Sequence, residues 1–136
     1  MSTAQSQGVY ATGVTHPKSL EQWIYWALSP LFSGKVYPEI APDSTQAPFA
    51  VYTTVASTPE NTLSSGRPVS NDRVQIDVWA TSREQVGVLG QATLAAMDAL
   101  VTGTFGVYLI SSSGSYEADV RLHRVIQDFS ISQPRS

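Results

Sequence analysis

The sequence predicts an α+β chain whose elements run in the order α-β-β-β-α-β-β. Three observations lead there. Arg73-Val-Gln-Ile-Asp-Val-Trp79 alternates polar and β-branched residues at a period of two, the signature of a strand with one buried and one wet face. Arg121-Leu-His-Arg-Val-Ile-Gln-Asp-Phe-Ser130 repeats that mixture near the C-terminus. Two further stretches carry apolar residues at helical spacing, each opened by a serine with a glutamine three positions on.

Residues 1–18 are rich in Ser, Thr, Gln and Gly, with Val9, Tyr10 and Val14 as the exceptions, and read as a flexible N-terminal arm ahead of a single domain over 19–136. The first helix begins at Ser19, where Ser19 and Gln22 have the spacing of a capping box. Leu20, Trp23, Ile24, Ala27, Leu28 and Leu31 form its buried stripe, with Tyr25 and Trp26 off it, and Pro30 and Gly34 end it. Val36-Tyr37 is a short strand stopped by Pro38, and residues 41–48 read as a loop. Phe49 to Ser57 is the next strand, with Phe49, Val51, Thr53 and Val55 on one face and Ala50, Tyr52, Thr54 and Ala56 on the other. Thr58 to Pro68 carries Pro59, Asn61, Ser64, Ser65 and Gly66 and is expected to project as a mobile loop between two strong strands.

Arg73 to Thr81 is the second strong strand. Val74, Ile76 and Val78 are expected to face the helices, against Ile24, Leu28, Leu89 and Leu100. The second helix opens at Ser82, and its buried stripe is Val86, Leu89, Thr93, Ala96 or Met97, and Leu100. Its alanines keep it thin enough to lie close to a sheet, and Gly90, unfavourable by about 1 kcal/mol in a helix interior, points to close packing. Gly103 suits the C′ position. Phe105 to Ile110 reads as a strand, Ser111-Ser-Ser-Gly-Ser115 as a turn, and Val120 to Ile131 as the last strand. Val120 and Leu122 are out of phase with Val125, Phe129 and Ile131, so a bulge is expected near His123-Arg124.

The chain has 136 residues, the usual size of one domain, and no internal repeat. It has no cysteine, which excludes disulfides, thiolate metal sites and cysteine catalysis. A formal net charge of −3 with 14% charged residues excludes a basic nucleic-acid footprint, and so low a charge suits a surface partly covered by other protein. No run approaches the roughly eighteen apolar residues of a membrane span, and Met1 to Gly8 lacks the regions of a secretory signal, so cytoplasmic synthesis without a membrane partner is expected. His16 and His123 are the only imidazoles and have no neighbouring ligands for a metal. Asp77 and Asp128 could meet across paired strands as an acid–base pair, but Arg73 and Arg124 make ion pairing the stronger reading. Ser111–Ser115 has neither the glycines nor the lysine of a phosphate loop. Trp23, Trp26 and Trp79 have no basic cluster around them and read as core or interface aromatics. No catalytic residue, cofactor or metal is therefore expected, and the protein reads as a non-enzyme.

Val36-Tyr-Pro38, Ala47-Pro-Phe-Ala-Val-Tyr52, Thr58-Pro-Glu-Asn-Thr-Leu63, Arg73-Val-Gln-Ile-Asp-Val-Trp-Ala80 and Arg124-Val-Ile-Gln-Asp-Phe-Ser130 occur in an order that resembles the tail-completion proteins of long-tailed bacteriophages, also called tail terminators. The resemblance spans about residues 20–131. It implies a single-layer mixed, mainly antiparallel sheet with two helices on one face. It also implies a virion protein of the tail's neck end, forming a hexameric ring that caps the tail tube, stops its polymerisation and joins it to the head connector or stopper, with DNA passing transiently through the lumen. The alternatives are a head-side connector subunit of the same particle, or a small ligand-binding domain or enzyme. For the subunit or tube interface, the residues put forward are Pro59, Glu60, Asn61, Leu63 and Arg67 of the long loop, together with Arg73 and Asp77 of the following strand.

Overall fold

A computed structural model describes residues 19–61, 68–100 and 106–134. The elements are α1 (Leu20–Leu28), β1 (Val36–Pro38), β2 (Phe49–Asn61), β3 (Pro68–Ala80), α2 (Arg83–Asp98), β4 (Gly106–Glu117) and β5 (Leu122–Pro134). Among them the strands form one five-stranded sheet in the order β1-β2-β3-β5-β4. Only β1–β2 is parallel; the other three pairings are antiparallel. This is the predicted α+β fold with the predicted element order.

Both helices start as the sequence indicates. The Ser19 hydroxyl accepts from the Gln22 amide at 3.2 Å, and the Ser82 hydroxyl accepts from the Gln85 amide at 3.0 Å. Each satisfies a donor that the first helical turn leaves open. Gln85 reaches back, its side-chain oxygen accepting at 3.1 Å from the amide of Thr81, the residue before the cap. A 3₁₀ turn over Ser29–Leu31 follows α1, and the chain reverses at Ser33 and Gly34, both at positive φ.

The two helices share one core with one face of the sheet. Leu20, Ile24, Leu28, Val86, Met97 and Leu100 pack with Val36, Ala50, Tyr52, Val74, Ile76, Val78, Phe129 and Ile131, and Leu89 lies partly buried against them. Val74, Ile76 and Val78 thus face the helices as expected, at 1% exposure or less. Gly90 is buried on α2; a methyl there would lie 3.5 Å from Gln127 and 3.6 Å from Val125. A small residue at Gly90 suits the closeness of α2 to β5, and the Gln127 amide donates to the Gly90 carbonyl at 3.0 Å. Gln127 is 1% exposed, a buried polar group in the middle of the core face that the alternation did not single out.

Four expectations are corrected. The β2–β3 ladder runs on to Asn61↔Pro68, so Thr58–Asn61 is strand rather than loop. Pro59 pairs with Ser70 near the end of the ladder, past the segment that β1 covers, and a proline is tolerated on such an edge. Ser111–Ser115 is not a turn but the middle of β4, opposite Asp128 to Arg124. Turn-rich composition there reflects an edge strand with little to bury; the reversal comes at residues 118–121, with Arg121 at φ 57°. β5 carries no bulge against β3 and runs from Leu122. The change of phase at Val120 and Leu122 is real, because these residues serve the opposite side of the sheet. The bulges lie instead in β2 and β4, at Val55 and Ile110, where two residues on one strand oppose a single step on the next. The strand alternation expected to run unbroken through Ala56 is interrupted at Val55. Gly103 and residues 1–18 lie outside the described residues.

Candidate assembly surfaces

The helices occupy one face of the sheet and leave the other open. Phe49, Val51, Gln75, Asp77, Trp79 and Arg124 share this second face by register. The Phe49 and Trp79 rings stack with centroids 6.0 Å apart and planes 17° from parallel. Arg124 lies over the Trp79 ring, its guanidinium carbon 4.9 Å from the centroid. One of its terminal nitrogens donates to Asp77 Oδ2 at 2.5 Å, and the other lies 3.8 Å from Glu117. Gln75 donates to the second oxygen of Asp77 at 2.9 Å. Asp77 is therefore neutralised and has both oxygens engaged. Asp128 does not meet it: its carboxylate accepts from the Ser111 hydroxyl at 3.0 Å instead.

Beside this stack, the loop over residues 39–45 and the turn carrying Val120 enclose a groove of about 540 Å³ floored by Phe49, Val51 and Trp79. Ile40 and Val120 stand at its rim, 78% and 55% exposed. Glu39 and Ser44 hold positive φ without being glycine, and the loop is pinned by the Glu39 amide donating to the Tyr52 carbonyl at 2.9 Å and by Lys35 Nζ donating to the Gln46 carbonyl at 2.8 Å. Among the described residues no group of three or more His, Asp or Glu side chains could hold a metal. His123 lies against Tyr116, ring centres 4.9 Å apart.

The edges of the sheet form the second surface. Among the described residues β4 pairs only with β5, and β1 covers β2 only from Ala50 to Tyr52. Both outer edges carry exposed apolar side chains: Val55 at 59% on β2, and Tyr108, Leu109 and Ile110 at 69%, 45% and 46% on β4.

The residues singled out from sequence are distributed over these surfaces. Pro59, Glu60 and Asn61 belong to the last rungs of β2, opposite Ser70, Val69 and Pro68. Leu63 and Arg67 lie outside the described residues. Arg73 is exposed on β3, while Asp77, on the same strand, is buried under its ion pair. The aromatic floor and the apolar edges were missed. Phe49 and Trp79 are 30 positions apart, and only the register brings them together; the run Tyr108-Leu-Ile110 was legible as apolar but not as an edge.

Among the described residues, one sheet with helices on a single face leaves a second face uncovered and two edges with exposed apolar side chains, surface of the kind that contacts with other protein cover. The sequence matches the family described as tail completion protein gp17 over residues 26–133, and the chain belongs to that family. It is thus a structural protein of the phage-type virion tail, and the expected virion location holds. Among the described residues no helix is long and apolar enough to cross a membrane. The fold is also that of a chain in the virion of the native gene transfer agent particle, at a TM-score of 0.62 and 12% identity, covering 85% of this chain and 95% of that one. No curated protein matches the sequence.

Proposed function

We propose that this protein completes the tail by closing the end of the tail tube as a hexameric ring. The ring ends tube polymerisation and offers its other side to the head connector or stopper, and DNA passes through its lumen without being held. The observation that carries this reading is membership of the tail-completion family across residues 26–133. Two physical features support it. The open edges lie on opposite sides of one sheet, as head-to-tail contacts in a closed ring require. Of the two arginines that share the open face, Arg124 is matched by Asp77 and Glu117 and adds little to any grip on phosphate, which leaves Arg73 as the exposed one. The unit that acts is residues 19–136, with 1–18 as an arm, and the segment from Pro59 to Arg67 touches the tube or a neighbouring subunit, with Arg73 beside it.

The test is a particle preparation lacking the protein. Overlong or headless tails are expected in electron micrographs, and added protein should restore joining. Tails of normal length joined to heads would refute the proposal.

A further inference from the structure

The two bulges lie on one line across the sheet. Thr54 of β2 is opposite Val74 of β3, Val74 is opposite Phe129 of β5, and Phe129 is opposite Leu109 of β4. The extra residue of each bulge is the next one along, Val55 at one edge and Ile110 at the other. Both are exposed apolar side chains, at 59% and 46%. A bulge takes one residue out of the inner ladder and turns the strand, so these positions serve neither the inner pairing nor the helix-packed core.

Edge strands are normally guarded by charge. Neither of these edges is: no charged residue occurs from Gly106 to Tyr116 or from Thr53 to Pro59. The two edges also run in opposite senses, because three successive antiparallel steps separate β2 from β4. Rotation about a ring axis keeps the sense of a strand that runs along the axis. The β4 of one copy therefore meets the β2 of the next in antiparallel sense. A closed ring has no translation along its axis, so the two contacting patches must lie at one height. With the strands set along the ring axis, the line of paired residues that joins Val55 to the Tyr108–Ile110 run brings the two patches to one height.

We infer that neighbouring copies of this chain join edge to edge, with Thr53–Val55 of β2 in one copy seated against Tyr108–Ile110 of β4 in the next. The occupant of each edge is a second copy of the chain. Pairing a copy with itself through a two-fold axis would set β4 on β4 or β2 on β2 and stop at a dimer; only the β2–β4 junction propagates and closes. Leu109 borders a cleft of about 400 Å³ between α2 and the sheet, where Leu94, Ala95 and Phe129 give the incoming edge an apolar floor and Gln91 and Asp98 a polar rim. This inference rests on the ring reading above but specifies its contacts.

The chain has no cysteine of its own, so engineered pairs report cleanly. Val55→Cys/Ile110→Cys protein assembled on tails is treated with a short bismaleimide linker. Covalent multimers on a denaturing gel are expected, with none from either single variant. Rings visible on the tails without crosslinked multimers would overturn the edge junction and leave the ring reading standing. Wild-type tails without any ring would overturn both. Should the double variant fold poorly, hydrogen exchange on the wild-type protein decides: amides of 53–55 and 108–110 should gain protection on assembly, and unchanged exchange there refutes the junction.

Discussion

Ile76 sits at the centre of the core, fully buried on β3 between Tyr52 of β2 and Gln127 of β5. Ile76→Ala should cost about 2–5 kcal/mol in urea unfolding, the sum of lost burial and an unfilled cavity. Gly90 makes a sharper case. A methyl there meets Gln127 and Val125 at ordinary contact distances, so Gly90→Ala should gain up to about 1 kcal/mol from helix propensity. Gly90→Leu should lose about 1–3 kcal/mol, because the larger group must push α2 off β5. Thermal unfolding of the two variants, shifted in opposite directions, tests whether Gly90 is there for closeness. Tyr52 gives the residue scale its pH dependence. Burial raises its pKa above 10.0, and the charges of Glu21 and then Tyr25 push the same way. The fold thus favours the neutral phenol. That contribution is complete below about pH 10, and it is lost as the pH climbs through the raised value. Unfolding free energy should fall above about pH 10, and Tyr52→Phe should fall less steeply.

Among the elements, β3 and β5 hold the open face together through Arg124, whose side chain is 25% exposed against 12% for Asp77. Arg124→Ala strands the Asp77 carboxylate and uncovers Trp79. A fully buried pair broken on one side costs about 3–5 kcal/mol, and the residual exposure lowers the expectation to about 1–3 kcal/mol. Arg124→Lys should not restore it, since a single ammonium cannot bond Asp77, approach Glu117 and lie flat over Trp79 together. Denaturant midpoints for the two variants decide this. The β2–β3 hairpin sets the second expectation at this scale. Its last described rung is Asn61↔Pro68. Replacing residues 62–67 with Asn-Gly should keep the fold, because a shorter loop costs little to close and that turn suits a two-residue hairpin. Tail attachment should fail if the segment touches the tube. Unimpaired completion would move the contact to the sheet edges alone.

For the molecule as a whole, charge sets the relation to DNA. With a net charge of −3, and with Arg124 of its open face paired so that Arg73 is the exposed arginine there, the isolated protein should bind duplex DNA no tighter than about 10⁻⁴ M at physiological salt. A salt titration of DNA binding checks this, and micromolar affinity would speak against a lumen that merely passes DNA. The same economy of charge leaves the edges unguarded, which suits the proposed junction between copies.

The sequence by itself determined the class of fold, the order of its elements and the facing of its central strand. Ser19 with Gln22, Ser82 with Gln85, and the alternation through Val74, Ile76 and Val78 are local signals, and local signals survive without knowledge of partners. It also determined the poverty of charge, and through the order of its motifs it determined the family. The rest depends on register. Ser111–Ser115 reads as a turn until β5 is laid beside it, because an edge strand with one neighbour has little apolar area to bury and so no apolar alternation to show. The bulges at Val55 and Ile110 leave no mark in the sequence beyond a skipped phase, and the skip assigned to His123-Arg124 was a change of face instead. Phe49, Trp79, Asp77 and Arg124 become one surface only through cross-strand pairing. A sheet joins residues that are distant along the chain, and the chain records the strands but not the line that runs across them.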